Sequence, residues 1–141
     1  MSEAERLIDA LQLSPHPEGG WYRETWRADG PGRPSGTAIL FLLPSGTRSH
    51  WHHVDATEIW HYHAGAPLRL LRSGTDSGPA EVVTLGPDVL GGQTPQAIIP
   101  PRHWQSAEST GAYTLVSCTV SPGFSFDGFV LAAPDFDIPA R

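Results

Sequence analysis

Five of the seven histidines fall between His50 and His63, in the runs Ser49-His50-Trp51-His52-His53 and Glu58-Ile59-Trp60-His61-Tyr62-His63. Imidazole titrates near neutral pH and is also a common metal ligand, so this cluster is equipped for proton transfer or for metal binding. If the two runs form one hairpin, alternation puts His50, His52 and Val54 on one face of the first strand, and Glu58, Trp60 and Tyr62 on one face of the second. Val54 and Trp60 suit an interior, so His52 and Glu58 are expected to point inward beside them. His53, His61 and His63 would face away.

Two chemistries follow from this set. As acid–base machinery, His52 is the base, Glu58 orients it and Tyr62 is the acid across the pocket, with no cofactor required. Trp60 and Trp104 would stack on a ring, while Gln96 and Gln105 would hydrogen-bond hydroxyl groups. The planar fork of Arg23 matches a carboxylate or a phosphate; its competing role is a salt bridge to Glu18, Glu24 or Asp127. As a divalent metal centre, the ligands would be His52, Glu58 and the amide oxygen of Gln105, with His50 as a further candidate. His63 and His103 join that set only if a bulge shifts the register.

The elements that must position these residues are short. Glycine (15) and proline (14) make up about a fifth of the 141 residues, which excludes a helical bundle. Ser2 and Glu5 have the spacing of a capping box, and Leu7, Ile8 and Leu11 share a helical face, which predicts a helix over 2–13 ending before Ser14-Pro15. From Trp21 onward β-favouring runs alternate with Gly/Pro turns. They predict strands at 21–27, 37–43, 48–54, 58–64, 68–72, 81–85, 96–99, 104–107, 112–121 and 126–132. Such a series closes into a sandwich or barrel in a single domain spanning 1–141, with the barrel over 21–132 and a tail over 133–141. Trp21, Trp26, Phe124, Phe126 and Phe129 are expected in the core or a dimer interface rather than against a ligand.

Composition removes other functions. All nine basic residues are arginine, and lysine is absent, so no lysine Schiff base or P-loop phosphate lysine exists. The net charge of −6 and scattered arginines give no stripe for nucleic acid. Cys118 is the single cysteine and lies in an apolar run, which excludes an intrachain disulfide and favours a buried, inert thiol. The longest apolar run, 38–43, is far too short to span a bilayer, and the N-terminus has no signal-peptide pattern. The expectation is a cytoplasmic protein with a small-molecule ligand and neither a nucleic-acid nor a membrane partner.

The spacing Gly46, His52, Val54, Glu58, Gly65 resembles the first sequence motif of the cupin superfamily, with Val54 where that motif has a second, metal-binding histidine. Gly92 and Ile99-Pro100-Pro101-Arg102-His103-Trp104-Gln105 resemble the second motif, with Arg102 in place of its glycine and Gln105 in place of its histidine. The blocks His16-Pro17-Glu18-Gly19-Gly20-Trp21-Tyr22-Arg23-Glu24-Thr25, Glu58 to Gly65 and Ser121 to Phe129 are similar to the Cupin_5 family of unknown function. That resemblance covers nearly the whole chain. It implies an all-β cupin fold, a double-stranded β-helix or jelly-roll barrel with a short N-terminal helix, related to sugar-nucleotide epimerases, and a homodimer. The function expected is an isomerase- or epimerase-like enzyme that moves a proton on a sugar-like or small carbonyl compound. A metal-dependent oxidative or hydrolytic enzyme and a non-catalytic ligand-binding or sensing protein are the two alternatives.

Overall fold

The computed structural model describes residues 1–141. Helix α1 spans Glu3–Ala10 and is held at its start by the reciprocal box: Glu5 N donates to Ser2 Oγ at 3.1 Å, and Ser2 N to Glu5 Oε1 at 3.2 Å. It stops earlier than expected because Gln12 takes a left-handed conformation, φ 57°, which ends the helical ladder ahead of Pro15. Its apolar face covers the outside of a sheet at Leu40, Leu42 and Leu115.

The strands are β1 Ser14–Pro15, β2 Trp21–Arg27, β3 Thr37–Pro44, β4 Arg48–Val54, β5 Thr57–Gly65 and β6 Leu68–Ser73, then β7 Glu81–Leu85, β8 Gln96–Ile99, β9 Trp104–Ser109, β10 Tyr113–Ser121 and β11 Phe129–Leu131. Two depart from the sequence expectation: β1, which pairs with β2 where only the end of the helix was expected, and the last. Phe126–Gly128 is a turn of 3-10 helix capped by Ser125, so the final strand starts at Phe129. All pairings between strands are antiparallel, in two sheets of order β1-β2-β3-β10-β5-β8 and β11-β4-β9-β6-β7. The sheets face each other across Phe41, Leu43, Trp60, Leu68, Leu70, Leu85, Ile99 and Val116. This is the cupin jelly roll.

The chain beyond residue 132 returns across the outer face of the second sheet. Ile138 is buried there with Trp51 and Leu71, Trp51 Nε1 donates to Asp137 Oδ1 at 2.8 Å, and Ala80 N donates to Pro139 O at 2.7 Å. No helix is long and apolar enough to cross a membrane.

Two β-bulges decide what faces the interior. In the β4–β9 pair, Ser49 is opposite Ala107 but His52 is opposite Gln105, so three steps on β4 match two on β9. Both Ser49 and His52 therefore face inward. In the β2–β3 pair, Glu24 is opposite Ile39 and Trp26 is opposite Ala38, which leaves Thr25 as the extra residue. Tyr22, Glu24 and then Arg27 point inward, and Trp26 is turned outward.

Candidate functional site

One mouth of the barrel holds a cavity of about 230 Å3. Its lining includes His16 and Glu18 from the loop before β2, Tyr22, Glu24 and Arg27 from β2, His52 and Val54 from β4, Glu58 from β5, and Phe124, Phe126 and Phe129 from the chain after β10. A volume below the roughly 300–1,000 Å3 of drug-sized sites suits a small metabolite.

His52 is 1% exposed. Its Nδ1 lies 2.7 Å from the His50 carbonyl, an acceptor only, so Nδ1 carries the proton and Nε2 offers a lone pair. Nε2 lies 3.5 Å from Glu18 Oε1. Burial lowers the pKa of His52, so the ring stays neutral. His16 is also neutral: its Nδ1 accepts from Glu18 N at 3.1 Å, and burial, helped by His52, takes its pKa down to about 4.

Glu18 is the residue that sequence reasoning placed elsewhere, as a salt-bridge partner for Arg23. Its carboxyl instead reaches the cavity between His16 and His52, with Ser49 Oγ donating to Oε2. Burial raises its pKa to about 8, against the opposing Ser49 hydrogen bond. The contact with His52 is consequently between a carboxylic acid and a neutral imidazole, not an ion pair. Glycine brings Glu18 here. Gly19 has φ 105°, and a Cβ at that position would run into the Arg48 carbonyl, so the loop lies flat on β4 only without a side chain. His50 N then donates to Glu18 O at 2.7 Å and fixes the approach. The signal in the sequence was the Glu18-Gly19-Gly20 triplet, whose meaning depends on contact with a strand thirty residues away.

Glu58 is buried as expected, with its pKa raised to about 7 by burial and by the neighbouring Glu18, while His52, Gln105 and Cys118 oppose the rise. Gln105 Nε2 donates to Glu58 Oε1 at 2.8 Å, and Trp60 Nε1 donates to Gln105 Oε1 at 2.8 Å. These bonds cross the barrel and tie β5 to β9. The Cys118 thiol faces Glu58, and burial raises its pKa well above the ordinary thiol range, which keeps it inert.

Several expected site residues lie elsewhere. Tyr62 shares an inward parity with Glu58 but is four residues further along β5, beyond Trp60, and its hydroxyl donates to Gly65 O at 2.5 Å. It is no acid for this cavity. Trp60 is 1% exposed and part of the core beneath the site, not a stacking surface. Arg23 faces out from β2, opposite in parity to Tyr22 and Glu24, and pairs with none of the three acids considered for it. Gln96 bonds His61 at 3.2 Å on the outer surface, and Trp104 donates to Asp76 at 2.9 Å on the outside of the other sheet. Conversely Phe124, Phe126 and Phe129, expected in the core or an interface, line the cavity.

Of the residues proposed as metal ligands, His52 and Glu58 line the cavity, whereas Gln105 and His50 are turned away from it. Trp60 N–H can only donate, so it fixes the Gln105 oxygen toward itself and turns the amide nitrogen to Glu58. The bulge turns His50 outward, where Nε2 bonds Ala133 O at 2.9 Å. No three His, Cys, Asp or Glu side chains are disposed to hold a metal ion together.

Comparison with known proteins agrees with this architecture. Residues 5–132 match the family described as Cupin_5, Cupin superfamily (DUF985). A solved protein from Shewanella oneidensis is 36% identical with a TM-score of 0.87, covering 94% of this chain and 86% of its own. A hypothetical protein from Leishmania major is 32% identical with a TM-score of 0.85, covering 94% and 88%. The DMSP lyase DddQ from Ruegeria pomeroyi, 17% identical with a TM-score of 0.63 over 97% of this chain and 72% of its own, is similar in fold alone. No curated protein matches the chain in sequence.

Proposed function

The chain belongs to the Cupin_5 family, and from that premise we propose that it is an isomerase- or epimerase-like enzyme moving a proton on a sugar-like or small carbonyl compound. The observation that carries this reading is the pair of buried carboxyls, Glu18 and Glu58, raised to about 8 and about 7 in one cavity with the tautomer-locked His52. Groups that titrate close to neutral pH give and take protons with the least wasted driving force.

His52 Nε2 removes the proton from the carbon beside the carbonyl. The C–H electron pair moves into the new carbon–carbon double bond, and the carbonyl oxygen takes the proton of Glu18 to give an enol. In the second step a proton returns to the opposite face of the first carbon or to the former carbonyl carbon, while the Glu18 carboxylate takes a proton from the enol hydroxyl in the first case, or from the hydroxyl on the first carbon in the second, so that a C=O re-forms. The carbon-bound proton comes from His52, or from Glu58, whose pKa is raised to about 7 and which then recovers a proton from His52. Gln105 and Cys118 hold Glu58 in place, whereas the His50 carbonyl, not Glu58, orients His52. The aromatic wall of Tyr22, Phe124 and Phe129 limits water.

The test is deuterium incorporation from solvent into three- to six-carbon hydroxyaldehydes and hydroxyketones, followed by NMR. Wild type is expected to label at least one of them, and His52→Ala and Glu18→Gln to slow labelling by roughly 10²–10⁴-fold. A compound that binds in the cavity without labelling would make the protein a binding or sensing member of its family and overturn the catalytic reading. A homodimer, implied by family resemblance, belongs to the same proposal; light scattering at micromolar concentration that returned the 15.2 kDa monomer mass would overturn it.

A further inference from the structure

Arg27 is the one arginine in the cavity wall, and it is there because of a bulge. Without the extra Thr25, strict alternation after Tyr22 and Glu24 would put Trp26 inward and Arg27 out. With it, Arg27 sits opposite Thr37 and lines the mouth, while Trp26 is left 55% exposed. A fold that exposes a large aromatic to point a cation into a cavity has lost burial to do so.

The guanidinium is held but not used up. Its Nε and one terminal nitrogen grip Glu24 at 2.8 and 2.9 Å, and that same terminal nitrogen reaches the Phe124 carbonyl at 3.3 Å. The other terminal nitrogen has two N–H groups with no protein partner. Arg33, 6 residues further on and close to the same loop, is different. It donates to Gly123 O through Nε and to Asp55 through both terminal nitrogens, so all three of its nitrogens are engaged in holding structure. The Arg27–Glu24 pair is about half exposed, and a solvent-screened pair of this kind contributes little, so Arg27 can exchange carboxylates at small cost.

We propose that the compound taken into the cavity carries a carboxylate, and that Arg27 binds it at the mouth, leaving or sharing Glu24, while the rest of the molecule reaches His52. The proposal rests on this cavity being the ligand site, as in the preceding reading, and is independent of the reaction. A carboxylate is favoured over a phosphate because the Glu24 carboxylate stays beside Arg27 at the same mouth, and a dianion would meet more repulsion from it than a monoanion would. Arg27 thus takes the role that the sequence suggested for Arg23.

The experiment measures binding by calorimetry and saturation-transfer NMR for glycerate, threonate and gluconate, for their amides, for the parent polyols and for glycerol 3-phosphate. At least one acid is expected to bind ten times more tightly than its amide and polyol. Arg27→Gln abolishes that preference, Glu24→Gln strengthens acid binding by freeing Arg27, and Arg23→Gln changes neither. Opposite effects at Arg27 and Glu24 are not what loss of structure would produce. The proposal is overturned if no acid binds at 10 mM, if acids and amides bind alike, if the preference survives Arg27→Gln, or if glycerol 3-phosphate binds more tightly than glycerate. A hydroxyacid that also carries an aldehyde or ketone, binds through Arg27 and takes up no deuterium overturns the proton-transfer reading and supports this one; neutral compounds labelled at equal rates by wild type and Arg27→Gln do the reverse.

Discussion

Glu18→Gln should remove most of the stability that the protein loses as the pH rises from 6.5 to 8. The unfolded carboxyl ionises near 4.5, whereas burial holds the folded one protonated to about 8. Between those values the folded chain keeps a proton that the unfolded chain has released, so stability falls with rising pH, by up to about 1.4 kcal/mol per pH unit. Burial acts in the opposite sense on His16, whose pKa is about 4 in the fold against 6.5 ordinarily, and lowers that of His52 as well. These imidazoles give up protons on folding, so their contribution rises with pH through 6.5 and levels off about one unit above it, partly offsetting the carboxyls. Above 6.5 the imidazole offset fades within about one pH unit, adding back roughly 0.4 kcal/mol for each of the two, and the carboxyl slope dominates. Glu18 then accounts for roughly 2 kcal/mol by pH 8, or about 4–8 °C of Tm in a chain near this size. Glu58, whose folded pKa is about 7, adds about 0.8 kcal/mol over the interval, roughly what the two imidazoles give back. The assay is thermal unfolding of both proteins from pH 5 to 9 at constant ionic strength, by circular dichroism. An equal fall in the two proteins, or a wild-type Tm that holds steady or rises over this interval, would refute the placement of a neutral Glu18 in the cavity.

Three further outcomes are expected. Gln105→Leu leaves the Trp60 N–H and a buried Glu58 oxygen without their partner, and should cost about 1–3 kcal/mol for each group in denaturant unfolding. Gly19→Ala forces a Cβ onto the Arg48 carbonyl at a left-handed φ, so the loop must lift; a loss of at least about 1 kcal/mol is expected, and in the pH series above it should resemble Glu18→Gln as Glu18 leaves the cavity. Arg102, whose N–H donates to Val54 O, holds φ 65° at the place where the second cupin motif has glycine. Arg102→Gly should therefore keep the turn and gain up to about 1 kcal/mol, visible as a small rise in Tm.

Much of the fold was legible because its signals are local. The Ser2/Glu5 box, the turn residues and the alternating runs each act within a few positions, and the strands follow them closely. His52 and Glu58 were found for the same reason: each has an apolar inward-facing neighbour on its own strand, Val54 and Trp60. Tyr62 shows where that reasoning stops, because parity states a face and not a depth, and the barrel mouth lies at the Glu58 end of β5.

The remainder depended on pairing. A bulge exists only as a mismatch between two strands, so nothing in β4 alone could show that Ser49 would replace His50 inside, and nothing in β2 alone that Arg27 would replace Trp26. The Gln105 amide is turned away from metal binding by an indole on the opposite sheet. Glu18 is drawn into the cavity by a backbone bond and a glycine contact with a strand far along the chain. By itself, the sequence determined the elements, the cupin arrangement and the inward placement of His52 and Glu58, since these follow from short-range periodicity and turn chemistry. Only the tertiary structure decided the third group, the cation at the mouth and the protonation states, because burial and strand register belong to the assembled barrel and not to any segment of it.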